Sequence, residues 1–310
     1  FESVGEVRVS GLSELESVVV GESSFSTQSG SFTLTDCKAV KTLSFSDGSM
    51  KHFSGLSIGN VPQLESIVVG ENCFENGSEL RIVGLKGLKS VVIGEKSFTK
   101  SAGQFRLVDC KVMETLSIGS GSFSLFDGFK IENVGALASI SIGDGCFKNV
   151  SELKLVGLGG LKSVVIGVGC FSNKSGAFYL KECPLVKELR VGNGAFKSYG
   201  SCIMESTASL EVLVIGSSCF DNANNLVLNG FAKLKSMVVG EGSFTQKSGR
   251  FSLSDCSAVK ELRIGDDAFT GFVSFTVTKT PLLETVVVGH DCFKPSSLEM
   301  SGEGREQRSR

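Results

Sequence analysis

The chain has no tryptophan, 4 prolines, 2 tyrosines and 2 histidines in 310 residues. The histidines, His52 and His290, are isolated, and no serine or cysteine lies at a spacing that suggests a nucleophile pair with either. There is no C-x-x-C and no Cys/His cluster, so nothing resembles a zinc site. Long apolar runs are also missing. Val18–Val20 is typical of the longest, which leaves no membrane-spanning helix and no expected membrane insertion in this segment. Charge of one sign is not in excess, with 31 basic against 33 acidic residues, so no global field favours nucleic acid. Glycine-rich strings such as GSGSF at 119–123 lack the strand–loop–helix–lysine setting of a phosphate cradle, and no cofactor is expected. The opening FESVGEVRVSG has neither a basic nor an apolar leader segment, so no signal peptide is expected in this chain. No constellation supports an enzyme.

What is abundant is glycine, at 38 residues, and phenylalanine, at 23. Such bias points to an internal repeat before it points to a function. LKSVVIGEKSF at 88–98 returns as LKSVVIGVGCF at 161–171. The residue after each hydrophobic–x–hydrophobic strand serves as an anchor: Gly21, Ser46, Gly70, Gly94, Gly119, Gly143, Gly167, Gly192, Gly216, Gly240, Gly265 and Gly289. Successive anchors are 24 or 25 residues apart, in triplets of 73. Apolar residues recur at offsets −14, −12, −9, −6, −3, −1 and +4 from the anchor, with only Thr207 and Thr280 breaking the rule. The pairs −14/−12 and −3/−1 alternate as a one-sided strand does. No stretch keeps a helical period for three turns, so little α-helix is expected.

One such unit cannot bury seven apolar side chains alone, whereas stacked units cover each other's flanks. The expected fold is a β-rich solenoid, a right-handed coil stack of about twelve 24–25-residue coils over residues 1–300, with a parallel sheet. At ~4.8 Å per strand this is a rod ~55–60 Å long. Offset +4 becomes a phenylalanine ladder from Phe25 to Phe293, with Met50 the one substitution. Phe1 aligns with Phe74, and Leu298 and Met300 begin a further coil, so the protein is expected either to continue or to associate through its ends. Residues 301–310 read as a disordered polar tail.

The strings Ile93-Gly94…Ser97-Phe98, Ile166-Gly167…Cys170-Phe171 and Ile264-Gly265…Ala268-Phe269 resemble the BspA-like class of leucine-rich repeats, found in surface proteins of bacteria and protists. Gly stands where that class typically has Pro after the strand. The resemblance implies a parallel sheet on a concave face and a role in surface adhesion or protein binding. The expected localisation is therefore extracellular or cell-surface, with a cytoplasmic setting as the alternative.

The ten cysteines fall on repeat positions. Cys37, Cys110, Cys183 and Cys256 occupy offset −9; Cys73, Cys146, Cys170, Cys219 and Cys292 occupy +3; Cys202 occupies −14. Each reads as a small core residue, and only Cys146 and Cys170 fall at equivalent sites of adjacent coils. The acids Asp36, Asp109, Glu182 and Asp255, ~14 Å apart by strand spacing, read as turn or surface residues and not as a calcium row. Sequons at Asn76, Asn149 and Asn173 lie in the loop after the phenylalanine.

Two sets of residues are candidates for binding. On the exposed strand face, Ser44 and Ser117 of the first half give way to Arg190 and Arg263, with Glu188 and Glu261 beside them. Phe53, Phe126, Tyr199 and Phe272 recur every 73 residues outside the seven core positions, either plugging a corner or forming aromatic anchors. The expected partner is a protein or glycan bound by a non-catalytic module. The alternative is a structural protein that self-associates into a filament or wall.

Overall fold

The structure is a computed structural model and describes residues 5–293 and 297–301. Phe1 and the expected tail beyond Ser301 lie outside the described residues. The chain divides into two units, residues 1–161 and 162–310. Each is a parallel β-solenoid, and no helix occurs among the described residues.

Every coil carries two strands. A four-residue strand ends at the anchor, as Ser66–Val69, Ser90–Ile93 and Thr115–Ile118 do, with offsets −3 and −1 pointing in. A five-residue strand carries offsets −14 and −12, as in Glu79–Val83 and Gln104–Val108. The second segment therefore builds further sheets, of six, three and four strands, where a single sheet was expected. Register advances one coil per strand, with one irregularity at Gly249/Arg250: Ile67, Val91, Leu116 and Ile140 stand side by side, as do Leu80, Phe105 and Phe129. A slip of one residue would turn the buried column outward, so the apolar pattern itself fixes this register. Turns repeat with equal fidelity. The amides of Lys89, Glu114 and Ala138 each donate at 2.8 Å to the carbonyl of the equivalent residue one coil back.

The phenylalanine ladder fills the interior. In the first unit Phe74, Phe98, Phe123 and Phe147 stack at 5.3, 4.8 and 5.1 Å. In the second, Phe171, Phe196, Phe220, Phe244, Phe269 and Phe293 stack at 5.0 to 5.3 Å. Met50 keeps its place in the column fully buried. These residues sit at φ between 47 and 58°, the left-handed region, which costs a side chain with a Cβ roughly 1–2 kcal/mol. The turn that aims each ring inward needs that backbone. Burial of the ring, ~1.5–3 kcal/mol, offsets the strain.

Beside the ladder runs a polar column that the sequence pattern did not disclose. At offset +3, Ser97 Oγ donates to the Gly70 carbonyl at 2.9 Å, Ser122 Oγ to Gly94 at 2.7 Å and Ser243 Oγ to Gly216 at 2.9 Å. Cys73 Sγ donates to Ser46 at 3.2 Å and Cys219 Sγ to Gly192 at 3.3 Å. The same hydroxyls accept from the preceding coil: Cys73 N–H reaches Ser97 Oγ at 3.1 Å, and Ser97 N–H reaches Ser122 Oγ at 3.0 Å. Serine and cysteine interchange here as small donors, while Ala195 and Ala268 fill the same position on size alone. The serine and cysteine bonds satisfy backbone groups that burial would otherwise leave unpaired.

Burial also governs the thiols. It pushes Cys219 up to about 12 and Cys256 up to about 11, and drives Cys202 higher still. Cys292 is only half-buried. With a thiol reagent at pH 8, Cys292 is expected to react first, and Cys202, Cys219 and Cys256 only on unfolding. Mass spectrometry of the labelled chain checks the order, and early labelling of Cys202 would contradict it.

Thr207 marks a lapse in the column at −9. It is buried and its hydroxyl has no hydrogen-bond partner. Val61 and Val134 occupy the same position in other coils. Thr207→Val is expected to raise stability by about 1 kcal/mol, read by denaturant titration. A loss of stability would show that the hydroxyl is satisfied after all.

Candidate binding face

The exposed side of the four-residue strands differs between the units. In the first, Val19, Val68 and Val92 are exposed among Ser17, Ser44, Ser66, Ser90 and Ser117, a small and neutral surface. In the second, Glu188–Val191 and Glu261–Ile264 each place an arginine and a glutamate outward. The alternation that buries Leu189 and Val191 obliges Glu188 and Arg190 to face the same way, and likewise Glu261 and Arg263.

Arg190 Nε donates to Glu188 Oε1 at 2.5 Å, and Arg263 Nε to Glu261 Oε1 at 2.5 Å. The arginine side chains remain 51% and 52% exposed, which leaves the rest of each guanidinium open to a partner. Ser236 Oγ also donates to Glu261, at 3.3 Å. Register puts Val214 and Val238 between the arginines, and Arg263 opposite Val287. Arg190 and Arg263 are therefore three strands, ~14 Å, apart with a half-buried valine floor between them. Lys235 closes one side by pairing with Glu211 at 2.6 Å. That hydrogen bond and the Lys235 charge hold the Glu211 carboxyl below its ordinary range.

The four aromatic candidates are elsewhere. Phe53, Phe126, Tyr199 and Phe272 are fully buried. Each amide donates to the carbonyl of the ladder residue three places back. Phe126 meets Phe123 edge-on at 4.9 Å, Tyr199 meets Phe196 at 5.0 Å, and Phe272 meets Phe269 at 4.9 Å. They plug the coil corners. A ring with no exposed surface offers a partner nothing, so the candidate face reduces to Glu188, Arg190, Glu261 and Arg263.

Other sequence candidates resolve into local structure. Asp36 accepts from Asn60 at 2.7 Å, Asp109 from Asn133 at 2.8 Å, and Asp255 pairs with Lys279 at 3.1 Å. All are at positive φ, in the turns that follow the five-residue strands. Among the described residues no three His, Cys, Asp or Glu side chains gather to hold a metal. His52 lies 3.4 Å from Asn76, and the His290 amide donates to Asp266. No helix among the described residues is long and apolar enough to cross a membrane.

No curated protein and no solved structure matches the chain. The family model described as BspA type leucine rich repeat region does match, in 6 copies. Its span includes Glu188 and Arg190, and the same anchor spacing continues on either side of it. The match covers residues 92–227, which are similar to a BspA type leucine rich repeat region.

Proposed function

We propose that this chain is a non-catalytic binding module that presents the four-residue strands of its second unit to a protein or glycan at a cell surface. The observation that carries the reading is the pair of half-exposed guanidiniums flanking Val214 and Val238. Each is oriented by its own glutamate and backed by a register-locked sheet. A rigid floor with two pre-oriented arginines loses little entropy on binding, and arginine is enriched where interfaces concentrate their energy. The leucine-rich repeat family supports the role, since its resemblance implies adhesion or protein binding.

The test uses the double variant Arg190→Ser/Arg263→Ser, which restores the serines found at 44 and 117. Binding to a panel of immobilised extracellular-matrix proteins and glycans is measured by surface plasmon resonance. A ligand bound by the natural chain and weakened at least about ten-fold in the variant supports the reading. A ligand held equally by both places the site elsewhere, and a blank panel removes the adhesion role.

A second reading, self-association, has its own observation. Val286 and Val288 occupy offsets that are buried in inner coils, yet here are 36% and 43% exposed, with Leu282 exposed beside them. A second copy laid against that edge would bury them. Sedimentation of the chain across a hundred-fold range of concentration decides it: a monomer throughout counts against assembly.

A further inference from the structure

The five-residue strands of the first unit hold a second, different surface. Arg81 stands opposite Arg106, and Arg106 opposite Lys130, in successive parallel strands. All three are exposed. At ~4.8 Å between strands this is a file of like charges, which Lys154 of the following strand extends, an arrangement that destabilises a sheet. The same unit avoids it beside its other sheet, where Lys41 pairs with Glu16 and Lys89 with Glu65 at the residues just before the strands. Lys130 has Glu132 at 2.6 Å, but neither Arg81 nor Arg106 has an ion pair or side-chain hydrogen bond among the described residues. On the exposed side of its own strand Arg106 has only Gln104 and Val108, and Gln104 is committed to Asp127 at 2.9 Å. Glu79 is the one carboxylate on the exposed side of the two arginine strands. In the second unit the same column holds Tyr179, Ile203, Val227, Ser252 and Thr276, with no cation.

We propose that this file binds a linear sulfated glycan laid across the strands, with Arg81 and Arg106 each taking a sulfate and Lys130 adding a point charge. A guanidinium fork fits a tetrahedral oxyanion through two parallel hydrogen bonds, and the ligand's charge relieves the repulsion along the file. Nucleic acid fits less well. The first unit's column has no aromatic side chain on which a base would stack, and a net charge of −2 gives the chain no long-range pull on a polyphosphate. This surface is independent of the Arg190–Arg263 face, and its test separates the two.

The experiment is surface plasmon resonance of the full chain on immobilised heparin, at ~50 mM and ~200 mM salt. Saturable binding is expected at low salt and weaker binding at high salt. Arg81→Ser/Arg106→Ser, which brings in the small hydroxyl side chains found at Thr33 and Ser57 of the same column, is expected to weaken it at least about ten-fold. Arg190→Ser/Arg263→Ser is expected to leave it unchanged. Should the first double variant lose its fold, the single Arg106→Gln substitution is read in the same assay, with a loss of about three-fold expected. The proposal is overturned by no binding of the natural chain at low salt, or by undiminished binding of the Arg81/Arg106 variants. Equally tight binding of single-stranded DNA overturns it too, because the file would then be a general polyanion patch.

Discussion

Replacing Phe98 by alanine is expected to cost about 3–5 kcal/mol, and replacing it by glycine is expected to cost no more. The first figure follows from the ring's surroundings. Phe98 is fully buried, stacks on Phe74 at 5.3 Å and Phe123 at 4.8 Å, and meets Phe126 edge-on at 6.1 Å. Removing it opens a cavity between coils whose backbones are held apart by hydrogen bonds and cannot close in. The second expectation is less ordinary. In a helix or strand glycine is the worse replacement, by roughly 0.5–1 kcal/mol. Here φ is 56°, a conformation that strains alanine and not glycine. The usual order is therefore cancelled or reversed. Denaturant titration of both variants checks it, and a glycine variant clearly weaker than the alanine one would show that the left-handed backbone does not survive loss of the ring.

Gly94→Ala is expected to cost about 3 kcal/mol, the upper end of overpacking effects, although it adds one methyl group and leaves the apolar pattern untouched. A Cβ at Gly94 would lie 2.5 Å from the carbonyl carbon of Gly70 and 2.6 Å from the Glu71 nitrogen. Those atoms are backbone, so no rotamer change relieves the contact. The Gly94 amide also donates to Val69 at 2.6 Å, which fixes the coil spacing at that point. Gly119 meets the preceding coil in the same way, with Glu95 nitrogen at 2.6 Å. This is the physical reason for glycine at Gly94 and Gly119, where the resembling repeats carry proline: a Cβ there would press on the backbone of the preceding coil. Ser46 is the one anchor that carries a side chain. Gly5→Ala, with nothing within 4 Å, serves as the control and is expected to be neutral. A Gly94 variant as stable as the natural chain would mean that the coils are spaced more widely than described.

The contrast between what was legible in the sequence and what was not has a common cause. Columns of identical large apolar residues are visible because stacking repeats the same environment every 24 or 25 residues, and Phe98, Leu88 and Ile93 each report it. The further sheets were half visible: the alternation of Leu80 and Ile82 suggested a strand, but one-sided alternation alone does not say which strands pair. The donor role of Ser97 and Ser122 was hidden, because the groups they satisfy are backbone carbonyls that have no letter in the sequence. The exchange of serine with cysteine at one position was the signal that could have found it. For the candidate face, the outward direction of Arg190 and Arg263 followed from strand alternation, while their pairing with Glu188 and Glu261 came only with side-chain geometry. For Phe53, Phe126, Tyr199 and Phe272 the sequence left corner plug and aromatic anchor both open, because periodicity places a residue in a column without saying whether the column faces in or out.

The central claim is that neighbouring coils stabilise each other through shared apolar columns, each coil acting on the next. A double-mutant cycle tests it most directly. Leucine substitutions at Phe98 and Phe123, which stack at 4.8 Å, are compared with the same substitutions at Phe74 and Phe147, three ring steps apart. Adjacent rings are expected to couple by at least ~0.5 kcal/mol, and the distant pair to add within ~0.3–0.5 kcal/mol. Additive behaviour at the adjacent pair would contradict the account, because rings that do not feel each other are not packed coil against coil.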